Sequence, residues 1–590
     1  MPELPDGMTD IGLKQKMTPP GGTCYSLKTF YDATKENDME KRGDYWQGRK
    51  AVHRRALLKA AGYEDEDLRN KPHIGVANTF MEGSPGTAHL RQVAEYVKQG
   101  IWEAGGVPFE FGVPSTCGTI ADGDEYLKYD QVGRDISAAS IEFVCRVHHF
   151  DGLVTIGACD NVLAGLYQGM ARVNIPSMCV TAGCMQAGRY RGKKFVEAEL
   201  DVAVMGSAAD EDVLEMEECA CPSFGACPSM GTANTMQMTG EILNMVLPGT
   251  STVPATESEK LRNARMAGRK IVEMTLAGRK PSDLCTKETF LNACAFGMAV
   301  AGSTNLVLHI MTIARELGIK ITLDDFAHYA ERIHCILAVI PSGPYTVVDF
   351  HYAGGPLAIM KNIESEIDTS VPTMLGGTWA DLIKDIPLTK NEVIHTLDDP
   401  VTDRPGLKVL RGNLAPNGAI VRPTGVPEEM MSFRGKAKIF TNDMESYAAI
   451  CDGKIKPGDM VVVRYEGSRG APGMKELMQT SDALLGYGLH KSVGLVTDAR
   501  FSGFNYGAII GHLTPEAYDG GPIALVEEGD EISFDIRKGT VELHVSDEEL
   551  EERRKRWVRP EPKEKNGFIY VYSKNCRPGD EGGAMQPWEI

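Results

Sequence analysis

Apolar and polar positions alternate along residues 73–173 in a way that predicts parallel strands joined by helices. Short apolar runs at 73–77 and 152–156 are each followed by a stretch with helical spacing, at 90–104 and 162–173. In the first of these stretches, apolar residues recur three or four positions apart, as they do on the buried face of a helix. Strands that alternate with helices are typical of a parallel sheet with crossover connections, so we expect an α/β fold here.

The pattern changes along the second half of the chain. Residues 259–330 are largely helical in pattern, whereas short β-rich runs at 419–421, 460–463, 492–496 and 532–536 are separated by Gly and Pro. Regular short strands between such turns indicate a β-barrel or a sandwich. We therefore predict three segments: a polar N-terminal extension over 1–45, a parallel-sheet α/β domain over 46–385 and a β-barrel-like domain over 386–590.

Composition and charge narrow the possible partners. A chain of 590 residues exceeds what one core usually supports, which agrees with two domains. Its 62 basic and 81 acidic side chains leave a net charge of −19, which argues against general binding to nucleic acid or to an anionic membrane. An anionic substrate would need local positive charge from a metal ion, a helix N-terminus or a few arginines.

The chain shows neither a membrane span nor a secretion signal. No apolar run approaches the roughly 20 residues that cross a bilayer, and the first 16 residues lack a signal layout. We therefore expect a cytoplasmic protein. Its 14 cysteines should then be reduced, and each is a small core residue or a candidate metal ligand rather than part of a disulfide.

Two candidate sites contain cysteine. Cys159 and Asp160 directly follow an apolar run, so they lie at the carboxyl end of a predicted strand, where ligands bind in open α/β sheets. A buried thiol beside a helix-capping carboxylate would give the same pattern. Cys227 ends a segment with three cysteines in nine residues, 219–227, which is able to ligate iron or an iron-sulfur cluster. Ordinary loop thiols are the alternative interpretation.

Two further candidates follow β-rich runs in the second half. Glu466 stands between such a run and a Gly-rich turn, a position that suits a hard divalent cation, although a solvated surface glutamate would look the same. Ser502 also follows a β-rich run. The chain has no G-x-S-x-G elbow, which argues against a hydrolase nucleophile. Near a cation, however, a serine hydroxyl is able to act as a base, and a plain turn serine is the alternative.

Six segments taken together resemble one enzyme family. The chain is similar to the dihydroxy-acid and sugar-acid dehydratases from about residue 50 to 560, and the segments occur in that family's order. The segments are Gly157-Ala158-Cys159-Asp160, Gly231-Thr232-Ala233-Asn234-Thr235-Met236, Gly302-Ser303-Thr304-Asn305, Arg411-Gly412-Asn413-Leu414-Ala415-Pro416, Arg464-Tyr465-Glu466-Gly467 and Arg500-Phe501-Ser502-Gly503.

The resemblance implies two cofactors and a base. In that family, three cysteines hold an iron-sulfur cluster whose open iron acts as Lewis acid on the departing 3-hydroxyl, while Mg²⁺ orients the substrate. Cys159 and Cys227 fall on cluster cysteines, and Asp160 and Glu466 fall on Mg²⁺ ligands. Ser502 falls on the serine thought to remove the C2 proton. The implied product is a 2-keto acid.

Three positions depart from the family pattern. Gly86 stands where the family has its first cluster cysteine, Gly118 stands where it has an acidic Mg²⁺ ligand, and Asn161 replaces a carbamylated lysine that also binds Mg²⁺. Glycine has no side chain that could ligate a metal. Cys117 directly precedes Gly118, and Cys184 lies in the segment Thr181-Ala182-Gly183-Cys184-Met185. We therefore hypothesise that one of these two cysteines replaces the missing cluster ligand.

The sequence thus favours a lyase that dehydrates a branched dihydroxy acid or a sugar acid. Two alternatives remain open: a non-catalytic paralogue with a binding or regulatory role, and a redox or metal sensor built on the cysteine-rich segment. The resemblance also implies a small-molecule acid as substrate and a homodimer or homotetramer as the assembly.

Overall fold

The computed structural model describes residues 45–206 and 208–585. The predicted extension over 1–45 therefore lies outside the described residues, apart from Tyr45. The chain forms two compact units, one up to Lys71 and one from Pro72 onward. In the first unit, the described helices are Val52–Ala60 and Asp65–Asn70. The candidate residues all belong to the second unit.

A four-stranded parallel sheet opens the second unit. Its strands are β1 (His73–Asn78), β2 (Val107–Gly112), β3 (Gly152–Gly157) and β4 (Ser177–Thr181). They run in the order β2-β1-β3-β4, and all neighbours are parallel. Strands β1, β3 and β4 are buried throughout, which explains their continuous apolar runs. The crossover helices are Leu90–Glu103, Tyr129–His148 and Asp160–Val173. The predicted parallel-sheet α/β fold is confirmed.

A largely helical region follows this sheet. Two of its helices, Thr232–Ile242 and Asn305–Glu316, are buried along almost their whole length, and the first of them buries several polar side chains. A short hairpin pairs β5 (Gly188–Tyr190) with β6 (Lys193–Phe195). The other helices are Glu197–Met205, Asp210–Ala220, Ser258–Leu276, Pro281–Leu284, Lys287–Ala299, Leu323–Ala330, Val347–Ala353, Gly355–Asn362 and Trp379–Ile383. Among the described residues, no helix is both long enough and apolar enough to span a membrane.

An eight-stranded, barrel-like sheet forms the remainder of the unit. Its strands are β7 (Lys408–Leu410), β8 (Gly418–Val421), β9 (Ser432–Phe440), β10 (Asp459–Val463), β11 (Gly494–Thr497), β12 (Ile509–Thr514), β13 (Glu531–Asp535) and β14 (Thr540–Leu543). They run in the order β14-β13-β9-β10-β11-β12-β8-β7, and the sheet is nearly closed. The predicted barrel-like architecture is confirmed, while the boundary near residue 385 stays a prediction.

This sheet also contains helical crossovers that the sequence pattern did not predict. Strands β9 to β12 are parallel, and the helices Asp443–Cys451 and Met478–Gly486 connect β9 to β10 and β10 to β11. Each has only nine residues, which is too short for a clear helical period. Two further helices, Asp547–Arg556 and Gly567–Asn575, end the described chain.

The carboxyl ends of strands from both sheets lead to one place. The loop after β1 carries Gly86, the loop after β2 carries Cys117 and the turn after β3 carries Cys159. From the second sheet, the loop after β11 brings Ser502. All four residues line the same cavity, in agreement with the rule that ligands bind beyond the carboxyl ends of parallel strands.

Candidate functional site

A cavity lies between the two sheets and is open to solvent on one side. It encloses about 110 Å³. The lining combines three thiols, several carboxylates, two serines and apolar side chains. Its residues include Pro85, Gly86, Cys117, Gly118, Cys159, Asp160, Met185, Glu197, Asp201, Ala226, Cys227, Thr232, Ala233, Glu476, Met478, Ser502 and Phe504.

Three cysteines meet in this cavity. Cys159 follows β3 with a φ of 70°, a conformation that costs a non-glycine residue about 1–3 kcal/mol. A hydrogen bond between the thiols of Cys117 and Cys159 lowers the pKa of Cys117 to about 7 and, together with burial, raises the pKa of Cys159. Burial and the negative charge of Glu197 raise the pKa of Cys227. The structure therefore brings Cys117 together with the two cysteines singled out by resemblance.

The other two positions considered for the third thiol have different surroundings. A Cβ atom on Gly86 would lie 2.4 Å from the Sγ of Cys159, so this packing leaves no room for a side chain at residue 86. Cys184 is fully buried and does not line the cavity. Its Sγ donates to the carbonyl oxygen of Thr252 at 3.7 Å, and burial raises its pKa to about 12. Of the two hypothesised replacements, only Cys117 thus lies beside Cys159.

Asp160 and Glu466, the two predicted Mg²⁺ ligands, do not lie together. Asp160 begins the helix Asp160–Val173 and lines the cavity. Glu466 is buried outside it and forms an ion pair with Lys563 at 2.6 Å. Burial raises the pKa of Glu466 to about 7 although Lys563 opposes the shift. The structure thus places Glu466 outside the cavity that Asp160 lines, and its assignment as a Mg²⁺ ligand stays a prediction.

Of the glutamates that follow β10, Glu476, ten residues beyond Glu466, lines the cavity. Its Oε1 accepts from Asn305 Nδ2 at 2.6 Å and pairs with Arg500 Nη1 at 2.6 Å. Both glutamates follow β10 around the same Gly-rich turn, and nothing in the sequence shows where that turn directs each of them. Arg500, the partner of Glu476, belongs to one of the six segments that resemble the family. Their pairing would have identified Glu476, but the two residues come together only in the folded chain.

Ser502 lies on a loop that is fixed from both sides. Its Oγ accepts from the backbone N–H of Phe504 at 3.2 Å, and its carbonyl oxygen accepts from Thr232 Oγ1 at 3.2 Å. Gly503 has a φ of 94°, and a Cβ there would lie 2.9 Å from the Cβ of Ser303. Only glycine fits both the backbone conformation and the space. The loop thereby directs the Ser502 hydroxyl into the cavity.

A buried arginine links the acidic groups beneath the cavity. Arg500 is fully buried, and its Nη2 meets Asp130 Oδ2 at 3.2 Å while its Nη1 faces Asp160 Oδ2 at 3.7 Å. Burial by itself would lower the pKa of Arg500, but the negative charges of Glu476, Asp160 and Asp130 outweigh burial and raise this pKa above its ordinary value. Burial, with the negative charge of Glu476, raises the pKa of Asp160 well above its ordinary value. Arg500 belongs to one of the six segments that resemble the family, although the sequence assigned this arginine no role. Asp130 belongs to none of those segments.

The cavity offers the types of donor atom that an iron-sulfur cluster and Mg²⁺ take, and both cofactors stay predictions. Three thiols are the protein ligands of a cluster with one open iron, because iron favours soft sulfur donors. Two carboxylates that line the cavity, Asp160 and Glu197, each have one buried oxygen without a hydrogen-bond partner among the described residues. The same holds for the amide oxygens of Asn161 and Asn305. Oxygen atoms of this kind suit Mg²⁺. Burial also raises the pKa of Asp201 to about 7. Among the described residues, those that line the cavity include no Lys, Arg or His.

The comparisons with known proteins cover almost the whole chain. Residues 71–382 match the family model described as dihydroxy-acid/6-phosphogluconate dehydratase N-terminal, and residues 392–583 match its C-terminal counterpart. The dihydroxy-acid dehydratase of Caldicellulosiruptor saccharolyticus is 42% identical over 546 residues, which are 92% of this chain and 99% of that protein. Those of Methanococcus aeolicus and Pyrococcus abyssi are 41% and 40% identical, over 90% and 91% of this chain and 97% and 98% of their own lengths.

Proposed function

The chain belongs to the dihydroxy-acid/6-phosphogluconate dehydratase family, a family of hydro-lyases, and from this premise we propose how its cavity works. The substrate is a 2,3-dihydroxy carboxylic acid and the product is a 2-keto acid. Cys117, Cys159 and Cys227 would hold an iron-sulfur cluster, and Ser502 removes the C2 proton. The observation that carries the proposal is that these three cysteines and Ser502 line a single cavity.

Cations would complement the charge of the site. The cavity is lined by the carboxyl groups of Asp160, Glu197, Asp201 and Glu476, which would repel an anionic substrate when they are ionised. When bound, the cluster would supply a Lewis acid for the departing 3-hydroxyl, and a divalent cation held by Asp160 and Glu476 would withdraw charge from the substrate's carboxylate and 2-hydroxyl. Both groups would also neutralise the carboxylates.

Ser502 has the surroundings that a base requires. The N–H of Phe504 donates to its Oγ, and a hydrogen bond to the ionised form of a group lowers its pKa. The alkoxide takes the C2 proton while the 3-hydroxyl leaves with the C3–O electron pair. The resulting enol gains a proton at C3 and becomes the 2-keto acid.

The remaining lining supports a branched aliphatic acid over a sugar acid. The helices Asp160–Val173 and Thr232–Ile242 begin at the cavity, where their N-terminal N–H groups attract a carboxylate. The wall formed by Pro85, Met185, Met478 and Phe504 is apolar. An alkyl group is buried favourably there, whereas sugar hydroxyls would lose hydrogen bonds to water without replacement.

The test is turnover by anaerobically reconstituted protein. With iron, sulfide and Mg²⁺ present, the expected result is a 2-keto acid from a branched dihydroxy acid, formed faster than from a sugar acid such as gluconate. Protein that holds a full cluster but converts no tested acid would contradict the proposal. It would instead favour the non-catalytic paralogue, which the replacements at Gly86, Gly118 and Asn161 otherwise support. The homodimer or homotetramer and the cytoplasmic location stay predictions.

A further inference from the structure

One face of the helix Asn305–Glu316 meets two carboxylates that line the cavity. Asn305 Nδ2 donates to Glu476 Oε1 at 2.6 Å. One helical turn further along, His309 Nε2 lies 3.6 Å from Asp160 Oδ1. Residues that are four positions apart lie on the same face of a helix. A single buried helix face therefore presents a polar side chain to each of these carboxylates.

Arg134 determines which ring nitrogen of His309 carries the hydrogen. Arg134 Nη1 lies 3.3 Å from His309 Nδ1, and both side chains are fully buried. A guanidinium has donors and no acceptor, so a hydrogen on Nδ1 would point at another donor. Nδ1 therefore has to accept, and the ring carries its hydrogen on Nε2. The N–H bond of Nε2 then faces Asp160.

The two atoms that face each other have no other partner. His309 Nε2 and Asp160 Oδ1 are buried and lack a hydrogen-bond partner among the described residues. At 3.6 Å they are farther apart than a hydrogen bond allows. Leaving a buried donor and acceptor unpaired costs free energy, and a shift of about 0.6 Å would bring the two atoms to bonding distance. Hydrogen bonds in active sites often tighten in this way when the substrate binds.

A bond from His309 would fix the plane of the Asp160 carboxylate. The other oxygen of this group, Oδ2, faces Arg500 Nη1 at 3.7 Å. A carboxylate with a donor at each oxygen has a defined orientation, whereas one that is held at a single oxygen is able to rotate. Groups that act on a substrate need partners that hold them in the productive geometry. His309 is placed to be that second partner.

We propose that His309 is a positioning residue for the dehydration: its Nε2–H donates to Asp160 Oδ1 as the substrate binds and orients this carboxylate in the cavity. The inference rests on the proposed function, because it concerns a carboxylate to which that function gives a role. Arg134 acts through His309 by holding its ring in the required tautomer. Neither residue belongs to the six segments that resemble the family.

Two amide variants separate the contact with Asp160 from the contact with Arg134. In His309→Gln the amide nitrogen is able to reach the position of Nε2, whereas in His309→Asn the amide reaches only the position of Nδ1. We expect His309→Asn to lower kcat about ten- to 100-fold and His309→Gln to keep kcat within about threefold of the unaltered chain. The KM should change less than kcat, because the orientation of the carboxylate matters most in the transition state.

His512→Asn is the matched control for the loss of a buried imidazole. His512 is also buried, and neither of its ring nitrogens has a hydrogen-bond partner among the described residues. This variant should keep the kcat of the unaltered chain. Equal losses of kcat in His309→Asn and His309→Gln would overturn the proposal and leave His309 as a residue of the packing only.

A second measurement does not depend on turnover. In protein that contains ¹³C- and ¹⁵N-labelled histidine, NMR shows which ring nitrogen carries hydrogen, and the signals that are absent from His309→Gln belong to His309. The expected result is hydrogen on Nε2 alone. Hydrogen on Nδ1 in a chain that is active would overturn the inference and leave the proposed function standing. An unaltered chain that converts no tested acid would contradict the proposed function, whichever tautomer His309 has.

Discussion

Replacing Arg500 by methionine tests whether the guanidinium stabilises the acidic group beneath the cavity. Methionine retains most of the apolar volume but leaves Asp130, Asp160 and Glu476 without their buried cation. It also removes the bond from Nε to the carbonyl oxygen of Met474 at 2.7 Å. Removing one partner of a buried ion pair costs about 3–5 kcal/mol, because the remaining charge is left uncompensated.

That free energy converts into a measurable change in melting temperature. The unit from Pro72 to Ile590 has about 520 residues, and an unfolding entropy of about 2.1 cal/mol/K per residue gives about 1.1 kcal/mol/K in total. A loss of 3–5 kcal/mol then lowers the Tm by about 3–5 °C. Arg434→Met is the control, because Arg434 forms an exposed pair with Glu531, and its Tm should change by about 1 °C or less.

The pH dependence of this loss has a defined sign. Burial raises the pKa of both Asp160 and Glu476 in the folded state. Between the unfolded value of about 4 and the raised value, the folded chain binds more protons, so these groups reduce stability as the pH rises. Without Arg500 the effect should increase, and the Tm deficit should be larger at pH 8 than at pH 5. Thermal scans in a metal chelator that give equal Tm values for variant and unaltered chain at both pH values would refute this reasoning.

Three other predictions concern the cavity. Ser502→Ala should reduce kcat about 100-fold or more while the iron content stays unchanged. Equal kcat values for the variant and the unaltered chain in steady-state assays would contradict the assignment of Ser502 as the base. In metal-free protein, the rate at which iodoacetamide labels Cys117 should be half-maximal near pH 7, because the pKa of this thiol is about 7. Cys184 should stay unlabelled, because burial raises its pKa to about 12. Peptide mass spectrometry measures both labelling rates. Gly503→Ala should lower the Tm more than Gly105→Ala, because both have positive φ but only Gly503 is crowded; equal shifts would contradict this.

The sequence was sufficient for the fold class because burial determines its pattern. Continuous apolar runs identify β1 and β3 as strands that are buried on both faces. The turn after β3 then positions Cys159 and Asp160. The short helices Asp443–Cys451 and Met478–Gly486 could not be recognised, since nine residues give too little period.

The site was harder to predict, because its members meet only through tertiary structure. Glu466 and Glu476 have similar local surroundings in the sequence, and the path of the turn between them decides which one reaches the cavity. Asp130 belongs to no motif. Its place in the acidic group beneath the cavity becomes visible only when the fold pairs it with Arg500.

The most direct test of the central claim is the iron and sulfide content of protein reconstituted without oxygen, compared between Cys117→Ser and Cys184→Ser. Both variants remove one thiol, but only Cys117 lies in the cavity beside Cys159. We predict that Cys184→Ser keeps its iron, sulfide and visible absorption, whereas Cys117→Ser loses them. Full iron and sulfide in Cys117→Ser would contradict the assignment of Cys117 as the third ligand.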